Sequence, residues 1–221
     1  MTPIPRVLLA LVAGLALVGL VFAIRPDLDL AATHSFYDHG GFIGANPTAR
    51  IARDFFRIFP FVVLGALALL YFARRFGLAV RYAPDGRSLV FLLASIAIGS
   101  GLIVNLGMKD HLHRPRPIHV EDFGGHDEFR PWYRFDGACR KNCGFASGEA
   151  SSAFWMVAPA LLAPPPFRVP AISGALAFGV AASALRMAFG GHFLSDVLFG
   201  GLISLIVVFA LRWALRPRGR P

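Results

Sequence analysis

The stretch SLVFLLASIAIGSGLIVNLGM, Ser88 to Met108, holds no charged residue and runs directly into KDHLHRPRP, Lys109 to Pro117. The first part decides the fold. Crossing ~30 Å of hydrocarbon takes about 20 helical residues, and a helix in the core of a soluble protein rarely goes uncharged for so long. The second part places a lysine, two arginines, two histidines and two prolines at the edge of that span. Prolines hold the backbone extended once the helix has stopped. Lys109 offers a compact ammonium and Arg116 a planar fork, a pair suited to phosphate oxygens. Taken alone, the same residues also fit a basic patch touching anionic lipid headgroups.

Working outward, the chain contains five more apolar runs: Val7–Ile24, Ile58–Ala73, Ala150–Phe167, Val169–Leu185 and Val197–Leu211. The expected architecture is therefore all-α, a polytopic membrane protein with six transmembrane helices in a single domain over residues 1–221. The first run is expected to be a retained helix, because FAIRPDLD after it lacks a small-x-small cleavage pattern. Overall the 221 residues are 56% hydrophobic and 16% charged, with a mean hydropathy of +0.59. The net charge of +9 would suggest nucleic acid in a soluble protein. Here the arginines fall in short clusters between apolar runs, so nucleic acid is excluded as a partner and positive-inside topology is the better reading. Arg6, Arg74, Arg75, Arg81, Arg87, Arg168, Arg212, Arg216, Arg218 and Arg220 put both termini in the cytoplasm. The Lys109–Glu149 segment and the turn around His192 then lie on the outer side. APPPFRVP, residues 163–170, reads as a tight cytoplasmic turn. In the outer segment, CRKNC presents Cys139 and Cys143 as either a small local disulfide or two free thiols.

Two further polar clusters fall on the same side. In CGFASGEASS, residues 143–152, Ser147 and Gly148 precede an apolar helix. Backbone N–H groups at a helix start, with a serine hydroxyl, can hold an anion without a charged side chain. Glu149 sits in the first turn, where a carboxylate is also an ordinary helix cap. In LRMAFGGHFLSD, residues 185–196, Arg186 ends one span and His192 and Asp196 open the next. Residues four apart on a helix share a face. Asp196 can then take a hydrogen bond from one imidazole nitrogen and leave the other as nucleophile or base. Ionisable groups at a span edge read as functional.

Lys109 with Arg116-Pro117, Ser147-Gly148, and Arg186, His192 and Asp196 together resemble the three-part signature of the type 2 phosphatidic acid phosphatase family, K-x6-RP, PSGH and SR-x5-H-x3-D. The resemblance covers residues 109–196. Ala146 stands where proline is usual, Leu185 where serine is usual, and Glu149 where the family has histidine. The resemblance implies a metal-independent phosphoric monoester hydrolase without cofactor. In it, His192 attacks phosphorus to form a phosphohistidine and Asp196 orients it. Lys109, Arg116, Ser147, Gly148 and Arg186 hold the phosphate. Glu149 becomes the candidate acid for the leaving oxygen, on the expectation that a phosphate dianion and a low-dielectric setting raise its pKa, against the pull of the helix start. His111 and His113 are reserves for that role.

Glu149 and CRKNC make the chain similar to the lipid A phosphatases, which act at the 1- or 4′-position. That implies a lipid substrate met at the periplasmic face of a bacterial inner membrane. Arg130, Arg134, Trp132, Tyr133, Asp122 and His126 then become headgroup contacts or an interfacial belt. Undecaprenyl diphosphate, phosphatidylglycerophosphate and phosphatidate are alternative substrates. A non-catalytic lipid-phosphate binder is the alternative of another class.

Overall fold

The computed structural model describes residues 4–80, 83–109 and 111–216. Arg81, Arg218 and Arg220, used above for orientation, lie outside the described residues. Helix α1 (Arg6–Ile24) is apolar on every side, and Leu9, Leu17 and Leu20 on it are exposed. That surface is what a lipid-facing helix presents. It stops at Arg25-Pro26, and the short helix α2 (Asp27–His34) turns Asp29 and Thr33 into the interior. A two-strand ribbon follows, β1 (Tyr37–Asp38) antiparallel to β2 (Gly41–Phe42). Its turn residues His39 and Gly40 both have positive φ, 47° and 81°, the requirement of a tight hairpin turn.

Asn46 caps α3 (Pro47–Arg75) by accepting from the Ala49 N–H at 2.9 Å, with Pro47 at the first helical position. Asp85 does the same for α4 (Gly86–Ile96), from Ser88 N–H at 2.7 Å. The span begun by α4 continues to Met108 in a wider π-helical winding over Ala97–Met108, so Lys109 N–H bonds back to Val104. After the outer segment come α5 (Gly148–Phe154), α6 (Val157–Ala160), α7 (Pro165–Ala188) and α8 (Leu194–Leu215).

The all-α polytopic architecture is as expected. Among the described residues, five helices are long and apolar enough to cross a membrane: α1, α3, α4 with its π continuation, α7 and α8. The remaining apolar run, Ala150–Phe167, is instead two short helices. Pro159 has no N–H to give, and Pro164, Pro165 and Pro166 end the segment. APPPFRVP also differs from the expected turn. The turn is over by Pro164, and α7 starts at Pro165, the position where proline's missing N–H costs nothing.

The broken pair α5–α6 stands at the centre of the bundle. Trp155 just after α5 is wholly buried and donates from Nε1 to Ser95 Oγ at 2.8 Å. Lipid tails are as apolar as leucine, so helices in a membrane associate through close packing and polar links rather than escape from water. Small residues serve that here. Phe154 lies directly against Gly179 of α7 and Gly201 of α8, and Ser100 and Ser151 share a hydrogen bond at 2.8 Å. One end of the bundle gathers the start of α3, the segment after Met108, the start of α5 and the α7–α8 turn. Gly44 N–H bonds to Ala188 O, and Ile118 N–H to Gly190 O. Arg74, Arg75, Arg87, Arg168 and Arg212 sit at the opposite helix ends.

Candidate active site

His192 occupies the turn between α7 and α8, after Gly190 (φ 62°) and Gly191. A Cβ on Gly191 would overlap the Arg186 guanidinium, so glycine there lets Arg186 fold over the turn. His192 is 1% exposed. Its Nδ1 lies 2.7 Å from the Gly144 carbonyl. A carbonyl only accepts, so Nδ1 carries the proton and Nε2 keeps the lone pair. Asp196 differs from expectation here. Helix α8 begins at Leu194, which leaves His192 outside it, and Asp196 Oδ2 is 3.7 Å from Nδ1. That oxygen instead accepts the Phe193 N–H at 2.8 Å. Gly144 is thus the direct partner of the imidazole and Asp196 a close anion. Burial pushes the His192 pKa down to about 4, helped by the Arg186 and Arg116 charges and opposed by Asp196. The ring is neutral at pH 7, as a nucleophile must be.

Behind Asp196 lies a fully buried ion network that the sequence motifs do not contain. Arg114 donates to Asp196 Oδ1 at 2.5 Å, to Ser195 Oγ at 2.8 Å and to Asp29 Oδ2 at 2.7 Å. Asp29 also accepts the Ser195 N–H at 2.8 Å. Arg114, Asp29, Ser195 and Asp196 are each at most 1% exposed. Burying charges without partners is prohibitive. Here each carboxylate has a guanidinium nitrogen and a backbone N–H.

Ser147 caps α5, its Oγ accepting from Ala150 N–H at 3.3 Å, while its own N–H donates to Asp196 O at 2.9 Å. A Cβ on Gly200 would overlap the Ser147 carbonyl. That glycine lets α8 pass close enough to fix the α5 start beside Asp196. Glu149 follows, partly exposed. Arg53 of α3 reaches it with NH2 at 2.9 Å from Oε1 and Nε at 3.4 Å from Oε2, and Arg186 Nε stands 3.5 Å from Oε2. Burial raises the carboxyl's pKa, but the Arg53 hydrogen bond and the Arg186 charge outweigh it and hold the group below its ordinary value. The expected rise was for a carboxyl beside a phosphate dianion; without one, Arg53 and Arg186 set the direction, and Arg53 was absent from the sequence argument. Lys109 Nζ donates to Asn142 Oδ1 at 3.1 Å, and Arg116 donates to Asn142 O at 2.7 and 3.1 Å. One residue therefore holds both Lys109 and Arg116.

Asn142 belongs to the loop closed by Cys139–Cys143, which form a disulfide. Closing so short a loop restricts the unfolded chain by about 2 kcal/mol. Cys139→Ser with Cys143→Ser is therefore expected to lower the melting midpoint and raise KM for the phosphate substrate several-fold, as Lys109 and Arg116 lose their shared anchor. A thermal melt and a substrate titration in detergent check both. An unchanged KM would show that the loop does not position these cations.

The reserve histidines take no part in the cluster. His113 Nδ1 is hydrogen-bonded to Cys139 O at 2.9 Å, and His111 is exposed. Trp132 is tied to α1: its Nε1 donates to Gly19 O at 3.2 Å, and its ring packs on Phe145 and Phe199. Arg130 and Arg134 pair locally with Glu128 and Asp136.

Residues 88–220 match the family model described as the PAP2 superfamily. The chain belongs to this family. Three relatives carry the description lipid A 4′-phosphatase. The protein from Francisella tularensis subsp. novicida (strain U112) is 37% identical over 204 residues, covering 87% of this chain and 89% of its own. That from Rhizobium leguminosarum is 40% identical over 129 residues, 58% of this chain and 55% of its own. That from Rhizobium etli is 38% identical over 159 residues, 71% and 61% respectively. No solved structure matches the chain. Family membership, together with the helices long and apolar enough to span, makes this a multi-pass membrane enzyme that hydrolyses phosphoric monoesters. Asp29 and Arg53 lie outside the segment that the family model covers.

Proposed function

We propose that this chain removes the 4′-phosphate of lipid A at the periplasmic face of a bacterial inner membrane, through a phosphohistidine on His192. The observation that carries the reading is the convergence, at one end of the bundle, of a neutral imidazole, a ring of cations and one carboxylate. The alignment over nearly the whole Francisella protein supports lipid A as the class and 4′ as the position. Arginines at the opposite helix ends support a cytoplasmic placement for both termini. The disulfide suits an oxidising compartment.

The chemistry follows from the groups present. Lys109, Arg116, Arg186, the Ser147 hydroxyl and the Gly148 N–H take the phosphate oxygens and stabilise the charge spread over them in the transition state. His192 Nε2 attacks phosphorus as the bond to the sugar oxygen breaks. Gly144 O holds Nδ1–H, and the nearby Asp196 carboxylate stabilises the cation that forms on the ring. The leaving oxygen needs a proton. A phosphate monoester has a second pKa of about 6, so its monoanion brings one. Glu149, still held by Arg53, takes that proton as the incoming phosphate draws Arg186 toward itself, and passes it to the sugar oxygen. In the second half, Glu149 as carboxylate accepts a proton from water as the water attacks the phosphohistidine. The P–N bond breaks, and inorganic phosphate leaves with the proton from Glu149, which restores the carboxylate.

Purified in detergent, the protein should release phosphate from lipid A in preference to undecaprenyl diphosphate, phosphatidylglycerophosphate and phosphatidate, and mass spectrometry should find the 4′-position bare. Preference for another lipid would overturn the substrate assignment. Release from none of them would favour a phosphate binder instead.

A further inference from the structure

Helix α3 faces outward over most of its length, with Pro60 its one buried residue. Arg53 breaks that pattern. An acid is next to it in sequence, but Asp54 is exposed and pairs with Arg57 at 3.0 Å. Arg53 turns inward across the bundle end, lies 5.6 Å from the Phe189 ring centroid, and lays Nε and NH2 along both oxygens of Glu149, 96 positions away in sequence. Fork-on-carboxylate contact of this kind fixes direction as well as charge.

The carboxylate it holds is an odd tenant. Arg186 and the start of α5 adjoin it, and Arg116 and His192 are within electrostatic reach. These are the groups assigned above to an anionic phosphate, and a bare carboxylate among them repels that anion. We propose that Arg53 is a positioning residue that makes a glutamate tolerable at this place. It neutralises and aims Glu149, so that a phosphate can share the cage with it. The inference rests on the phosphatase reading and deepens it. It assigns a role to the second spanning helix, which carries none of the signature residues.

The test uses the full-length protein in detergent and radiolabelled inorganic phosphate, measured by equilibrium dialysis, so the identity of the lipid does not enter. Arg53→Ala should weaken phosphate binding about tenfold, the size of a typical coupling within one charged network. Arg53→Lys, which keeps the charge without the fork, should recover part of that loss. The decisive variant is Arg53→Ala combined with Glu149→Gln. With the carboxylate's charge gone, it should bind phosphate within about threefold of Glu149→Gln alone. A merely structural arginine would not be rescued by a second substitution. Undiminished weakening in the Glu149→Gln background, or no weakening by Arg53→Ala at all, overturns the inference and leaves the phosphatase reading standing. Failure of the unsubstituted protein to bind phosphate overturns both.

Discussion

Arg114→Met should unfold this protein or come close to it, at about 3–5 kcal/mol, the usual effect of removing one partner from a buried ion cluster. The substitution keeps a long side chain among Phe193, Phe129 and Phe145, whose ring centroids lie 4.6 to 6.0 Å from the guanidinium carbon. It removes the donors to Asp29, Ser195, Asp196 and the Arg130 carbonyl in one step. Two carboxylates then face each other in the interior without a cation. Asp29 already has its pKa raised by burial, with Arg114 as the main opposing influence. Without Arg114 it will take a proton. Asp29→Asn should be milder, about 1–3 kcal/mol, because the amide oxygen can still accept the Ser195 N–H. Thermal unfolding in detergent measures both. An Arg114→Met protein with an unchanged midpoint would mean that the network is a spectator.

His192→Asn should cut phosphate release by about a thousandfold or more, as expected when a covalent nucleophile is lost. It should do so with little change in melting midpoint. The Asn amide N–H can stand near the imidazole Nδ1 and keep the bond to Gly144 O, but nothing replaces Nε2. This separates chemistry from folding, which His192→Ala would not, since that leaves a cavity and an unpaired carbonyl. Retention of a tenth or more of the activity would rule His192 out as the nucleophile.

The reach of the sequence is clearest at particular residues. Uncharged length identified the spanning helices, because the hydrocarbon imposes it. The Ala150–Phe167 run misled, since composition cannot distinguish one long helix from two short ones in the centre of a bundle; Pro159 and the proline triplet were the signal. His192, Arg186, Ser147, Gly148 and Glu149 were legible from spacing and do converge. Asp29 was not, because two acids just after one span, Asp27 and Asp29, belong to no pattern that singles out either. Arg53 hid in the same way inside a helix otherwise turned outward. Arg114 stood within the opening basic stretch, yet only the fold reveals that it turns away from the phosphate side to neutralise two aspartates. Gly144 offers no side chain to notice; its carbonyl, rather than Asp196, takes the imidazole proton's hydrogen bond. What holds the Glu149 pKa down in the ligand-free site was hidden for a related reason: its governing partner, Arg53, is distant in sequence.

The most direct test of the account is to look for the covalent intermediate. Lipid A labelled with radioactive phosphorus at the 4′-position would be mixed with the enzyme and quenched within the first turnover in alkaline detergent, where a P–N bond survives. The account predicts label on the protein that is lost in acid and absent from His192→Asn. Label that withstands acid, label that persists in His192→Asn, or release of phosphate with no protein-bound label at any time in that first turnover would contradict it.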